Sequence, residues 1–212
     1  MTEDRIETLR READQGNLDS EIDLALAYLH GDGVDKDPQR AFRMIRNRAS
    51  AGYGPAQLQL SLMYRYGRGT EKDAEMAFRV MREAADSGFA PAEIGVSRMY
   101  LRGAGTKKNA KKAFEYMSRA SKSGLPEANY ELGHMYAEGI GTDADPQKAY
   151  ENMVLAAEAG NEDAMYGSAM MLLTDDRIEG DHIAGLKNLV TAAEQGHAQA
   201  VEAVYRIRFA RE

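Results

Sequence analysis

HGDGVDKDPQRAF (30–42) allows three readings. Gly31 and Gly33 could cradle a phosphate, Asp32, Asp35 and Asp37 could form a rough calcium loop, or the segment could simply turn the chain between two helices. The same arrangement returns as YGRGTEKDAEMAF (66–78), RGAGTKKNAKKAF (102–114) and EGIGTDADPQKAY (138–150). Each copy lies 36 residues after the last. The glycine pair and the closing Ala-Phe/Tyr persist, whereas the acids are not kept throughout: Asp32 becomes Arg68, Ala104 and Ile140, and Asp35 becomes Lys107 in the third copy. Features kept in every copy belong to a repeated backbone unit, and the phosphate and calcium readings lose their ground.

Outward from the loop, further columns keep the same period. Gly16, Gly52, Gly88, Gly124, Gly160 and Gly196 form one, and Ala56, Ala92, Ala128, Ala164 and Ala200 another. Tyr28, Tyr64, Tyr100 and Tyr136 form a third. Each unit reads as two helices. In the clearest copy the first helix is expected over 128–138, with Ala128, Leu132, Gly133, Met135 and Tyr136 as its apolar or small stripe. The small column Ala25, Ser61, Ser97, Gly133, Ala169 predicts close approach of the two helices in a pair. Asp37, Asp73, Asn109, Asp145 and Asp181 stand where the second helix needs an N-cap, and Pro38 and Pro146 follow at its first position. Ala149, Tyr150, Met153, Ala156 and Ala157 give that helix its inward stripe. The Gly16/Gly52 column predicts left-handed C-caps.

The expected architecture is therefore all-α, with about twelve helices in 36-residue antiparallel pairs and one solenoid domain over 1–212. A half-repeat helix falls in 1–16. Five repeats follow at 17–52, 53–88, 89–124, 125–160 and 161–196, and a capping helix lies in 197–212, expected over about 198–210. Tyr205 replaces the small residue in that last helix, as suits an end with no partner helix.

LGHMYAEGIGTDADPQKAYENMVLAAEAGNEDA (132–164) resembles the Sel-one-like repeat, a relative of the tetratricopeptide repeat. The matching pattern is Leu-Gly, Tyr, Gly-x-Gly, Asp, Lys-Ala, Ala-Ala, Gly and Ala, and the resemblance covers nearly the whole chain. It implies a right-handed superhelix whose first helices line a concave face. It also implies an adaptor role, since family members mostly bind proteins or peptides.

Composition narrows the function classes. Net charge is −7 and the isoelectric point about 5.3, against the basic field a nucleic-acid binder carries. There is no cysteine, which removes disulfides, thiolate metal sites and a cysteine nucleophile. The first residues, MTEDRIETLRREADQGN, lack an apolar signal core, and no run approaches the ~18 apolar residues of a membrane span. A cytoplasmic protein without membrane insertion is the expectation, unless a signal has been removed.

Catalytic motifs find no support. GAGTKKNA (103–110) is the nearest approach to a Walker loop, yet it follows a helix and its sister loops lack the lysines. His30, His134, His182 and His197 show no local ligand spacing. Gly95-Val96-Ser97 begins like a nucleophile elbow, but no glycine follows Arg98 and Ser97 belongs to the packing column. TDDRIEGD (174–181) departs from its sister loops, with Asp175 and Arg177 in place of the glycines. Its acids Asp175, Asp176, Glu179 and Asp181 suggest a divalent cation, a partner-facing loop or drift. No cofactor, metal or catalytic residue is expected.

Columns that change chemistry between repeats are free to address a partner. Leu26, Leu62, Arg98, His134 and Met170 form one; Leu29, Arg65, Leu101, Ala137 and Leu173 the next. His30, Tyr66, Arg102, Glu138 and Thr174 form a third, and Asp23, Gln59, Gly95, Glu131 and Gly167 a fourth. Their spacing sets them on one face of the first helix, the concave one by the resemblance. Partner-binding candidates are Gln59, Leu62, Arg65, Tyr66, Arg98, Leu101, Arg102, Glu131, His134 and Glu138. The cluster of Arg65, Tyr66, Arg98 and Arg102 points to a protein or peptide with acidic character or a C-terminal carboxylate. The competing expectation is that these are solvated residues paired with nearby Asp and Glu. A self-associating structural or regulatory protein, using apolar groups such as Phe209, and an unrecognised hydrolase are the alternatives.

Overall fold

A computed structural model of the chain describes residues 3–209; the outer ends of the expected half-repeat, 1–2, and of the expected capping segment, 210–212, lie outside them. Twelve helices occupy the described residues. They are α1 (Glu3–Asp14), α2 (Leu18–His30), α3 (Pro38–Ser50), α4 (Gly54–Tyr66), α5 (Ala74–Asp86) and α6 (Ala90–Arg102), then α7 (Ala110–Ser121), α8 (Pro126–Glu138), α9 (Pro146–Glu158), α10 (Glu162–Thr174), α11 (His182–Glu194) and α12 (Ala198–Phe209). They fall into two compact units, the first ending at Asn109 and the second beginning at Ala110.

The opening stretch is a helix connection. Gly31, at φ +83°, sends its N–H to the Ala27 carbonyl at 2.8 Å and ends α2. Asp37 then accepts from the Arg40 N–H at 2.8 Å and starts α3, with Pro38 at the first helical position. Asp37 also donates its own N–H to the Tyr28 carbonyl at 2.8 Å, which closes the loop against the helix it left. The same closure links Asp73 to Tyr64, Asn109 to Tyr100 and Asp145 to Tyr136. The N–H groups of Gly31, Asp32 and Asp37 are thus committed to carbonyls of α2. Asp73, Asp145 and Asp181 cap α5, α9 and α11 in the same manner.

The Gly52 column ends the second helices by a different geometry. Gly52 donates to Ala49 at 3.0 Å and Tyr53 to Arg48 at 3.2 Å, the paired bonds of a Schellman motif. In the clearest repeat the first helix begins at Pro126, two residues before the expected start. Proline is free to open a helix because its missing N–H would have no partner there.

Cores form where the constant columns meet. Ala25, Ser61, Ser97 and Ala169 are buried, as is Gly133. In the first unit Ser61 Oγ donates to the Ala77 carbonyl of α5 at 2.7 Å, a backbone-level approach that only a small residue permits. In the second, a β-carbon on Gly133 would lie 3.1 Å from the Ala149 carbonyl oxygen of α9. Successive repeats are joined by ring contacts. Phe42 meets Tyr64 edge-on at 5.5 Å and Phe78 meets Tyr100 at 5.2 Å; in the second unit Phe114 meets Tyr136 at 5.2 Å.

The fifth connection departs from the others, as its sequence does. Asp175 is extended at φ −124° where its sisters hold a left-handed glycine. Its carboxylate receives two bonds from the Arg177 guanidinium, at 2.8 and 2.6 Å, and Ile178 is buried. The hydrogen bonds from Arg177 hold the Asp175 carboxyl at about 2. Asp181 is occupied as the N-cap, accepting from Ile183 at 2.8 Å.

Candidate partner-binding site

None of the ten candidate residues belongs to the buried core. Gln59, Leu62, Arg65, Arg98, Leu101 and Glu131 are half-buried; Tyr66, Arg102, His134 and Glu138 are exposed. Leu29 behaves otherwise: it is buried in the first unit's core, so the variable column it heads is not an open surface throughout. Leu26 packs partly buried against that core, while His30 is exposed.

The first unit carries the cationic candidates. Tyr66, 54% exposed at the last position of α4, lies under two guanidiniums: Arg65 at 5.2 Å and Arg68 at 5.1 Å from its ring centre. Arg68 was not among the sequence candidates. It sits between Gly67 and Gly69 in the loop, where the column Asp32, Arg68, Ala104, Ile140, Asp176 varies freely, and that variation was its only signal. Arg98, Leu101 and Arg102 share the last turns of α6 at helical neighbour spacing. α4 bears no acid, and the one acid of α6, Glu93, is buried.

The second unit carries candidates of opposite sign. Glu131 and Glu138 lie on α8, and His134 sets its ring edge-on to Tyr130 at 4.7 Å. Neither α8 nor α10 contains Lys or Arg. No group of three or more His, Asp or Glu with metal-holding geometry occurs among the described residues. The Asp175–Arg177 pair uses an acid of the 174–181 loop that a cation would need. No helix among the described residues is long and apolar enough to cross a membrane.

Helix pairs of this kind, capped and spaced alike, also define a sequence family. The Sel1 repeat model matches residues 18–52, 54–89, 90–125, 126–161 and 162–197. The chain belongs to the Sel1 repeat family. No curated protein sequence matches it significantly. Among solved structures, a protective antigen of uropathogenic Escherichia coli strains, c5321, displays an SLR fold. It is 28% identical with a TM-score of 0.80, and the match covers 91% of this chain and 41% of the antigen. A Sel1 repeat protein from Oxalobacter formigenes is 28% identical with a TM-score of 0.77, over 89% of this chain and 78% of that one. A Klebsiella pneumoniae Sel1 repeat protein, 22% identical with a TM-score of 0.57 over 95% of this chain and 98% of its own, shares the fold. This Sel1 repeat chain thus spans about two fifths of the E. coli antigen's length. Sel1 repeat proteins generally mediate protein–protein interactions and are in general non-enzymatic scaffolds.

Proposed function

We propose that this protein is a non-enzymatic scaffold whose first helices bind a protein or peptide. The first-unit site takes an acidic segment or a free C-terminal carboxylate through Arg65, Tyr66, Arg98 and Arg102, with Arg68 beside them. The observation that carries this reading is the exposed Tyr66 ring beneath the Arg65 and Arg68 guanidiniums, on a helix that bears no acid. A guanidinium offers a planar fork of donors that matches a carboxylate, and Arg and Tyr are enriched where binding energy concentrates. Gln59, Leu62 and Leu101 flank this centre as neutral contacts. Glu131, His134 and Glu138 of the second unit would meet groups of opposite charge.

The test is an array of acidic peptides, each with a free and an amidated C-terminus. The wild-type chain is expected to hold a subset, and Arg98→Glu with Arg102→Glu to lose it. Arg43→Glu with Arg46→Glu, on the exposed side of α3, serves as a charge-matched control. Equal binding by the double variant and the control would sink the assignment.

A second use has its own observation. Ile183, Tyr205 and Phe209 are 67%, 64% and 43% exposed on α11 and α12. Apolar side chains so exposed favour self-association. Light scattering on the wild type and on Tyr205→Ser with Phe209→Ser tests it: a dimer lost in the variant supports this use, and a monomer in both removes it.

A further inference from the structure

The second unit holds a cleft of about 320 Å³ that includes His134, and what it takes deepens the scaffold reading. It opens between α8, α10 and α12, and its volume is at the small end of ligand sites. Tyr130 and His134 of α8 and Tyr166 of α10 contribute three rings to its lining, Met153 and Met171 add thioethers, and Asp163 adds a carboxylate. Aromatic faces with a carboxylate nearby are the chemistry that holds an organic cation.

Three further observations bear on the occupant. First, Asp163 is held in position: His197 Nε2 lies 3.0 Å from its Oδ1. The Ala200 N–H points at His197 Nδ1 from 3.2 Å, so Nδ1 is the acceptor and the proton sits on Nε2, donated to Asp163. Tyr166 stacks on the same imidazole at 5.0 Å, which fixes its ring. Asp163 is 67% exposed and a carboxylate accepts several bonds, so the His197 contact does not exhaust it.

Second, acidic charge reaches the rings. The Tyr130 hydroxyl is pushed above its ordinary value, by burial first and then by the Asp163 and Glu131 charges. Of the helices that line the cleft, α8 and α10 bear acids and no Lys or Arg, while Arg206 of α12 is bonded to Glu202 and Lys148 of α9 to Asp145.

Third, Gly167 keeps the space open. It lies mid-helix in α10, where glycine costs about 0.5–1 kcal/mol relative to alanine. Two other mid-helix glycines are more crowded: a β-carbon on Gly95 would lie 2.9 Å from Met81 Sδ, and one on Gly133 3.1 Å from the Ala149 carbonyl oxygen. A β-carbon on Gly167 would meet only Met153 Sδ at 3.7 Å, an ordinary contact. Packing does not require glycine there, and a large side chain at this position would enter the cleft.

We propose that this cleft is an aromatic cage that takes one lysine side chain of a protein partner, its ammonium set among the Tyr130, His134 and Tyr166 rings and drawn by Asp163. The site is independent of the arginine-bearing helices of the first unit, so either can fail alone.

The test uses the full chain with carbon-13 labelled methionine methyls and the probe Nα-acetyl-lysine methylamide. Nα-acetyl-norleucine methylamide, its uncharged counterpart, is the control. The Met153 and Met171 signals are expected to move saturably with the lysine probe and to stay put with norleucine. Asp163→Asn should weaken binding about tenfold, while the fold is checked by the remaining methionine signals. Gly167→Leu should fill the cleft and abolish the shifts without lowering thermal stability, so lost binding there is not lost folding. No saturable shift, an equal response to norleucine, or unchanged binding by Gly167→Leu would each overturn the cage.

Discussion

Gly69 faces the carbonyl group of Pro38 so closely that a β-carbon added to it would lie 2.6 Å from the carbonyl carbon. Pro38 opens α3 and Gly69 sits one repeat later, so the contact clamps one connection onto the next. Gly105 on Ala74 repeats it, and in the second unit Gly141 on Ala110. Gly52 is also left-handed, at φ +82°, but nothing lies within 4 Å of where its β-carbon would be. Gly52→Ala is therefore expected to cost only the backbone strain, about 1–2 kcal/mol. Gly69→Ala adds an overlap with rigid backbone and should cost about 2–5 kcal/mol in all. Urea unfolding followed by circular dichroism ranks the two; equal midpoints would remove the clamp.

Much of this was legible because a period leaves a record in every copy. The caps, the small column and the helix count depend on neighbours nearby in the chain, and the 36-residue columns display them. The second task of Gly69 was not legible, since its partner Pro38 is 31 positions away and glycine already had a sufficient reason in the turn. Leu29 shows a different limit. Its column varies in chemistry, yet the residue is buried, because variation between repeats does not imply exposure. Of the proposed cage, only His134 stands among the partner-binding residues of the sequence, because the other rings come from columns or helices that the variable face does not include. The spacing of Tyr130 and His134, four apart on one helix, was the signal available.

Ser61 tests the close approach within a pair. Its hydroxyl bonds the Ala77 carbonyl at 2.7 Å in a fully packed setting. Ser61→Ala removes one buried hydrogen bond and should lower stability by about 1 kcal/mol. Ser61→Leu must also force α4 from α5, adding about 1–3 kcal/mol of overpacking. Thermal melts of the two variants should separate in that order. Ser61→Leu melting with the wild type would show that the approach is not sterically limited.

The cap of α5 is a cleaner local test. Asp73 accepts from the Met76 N–H at 2.9 Å. Asp73→Ala leaves that donor unmatched and should cost about 1 kcal/mol, whereas Asp73→Ser keeps an acceptor and should recover most of it. Amide exchange in the first turn of α5 should quicken in the alanine variant alone. Equal protection in all three chains would count against the cap.

The Asp175–Arg177 pair predicts a titration. Two guanidinium hydrogen bonds and one from the Arg177 backbone stabilise the ionised Asp175, so its folded value of about 2 lies below the ordinary 3.8. A depressed carboxyl stabilises the fold above the unfolded value, and the contribution is lost as pH falls from near 3.8 through about 2. Arg177→Gln removes the charge and the bidentate bond, so the Asp175 midpoint should rise toward 3.8 and that acid-side loss should shrink. Carbon-13 carboxyl shifts followed from pH 6 downward read the midpoint directly. An identical curve in wild type and Arg177→Gln would mean that the pair does not form in solution.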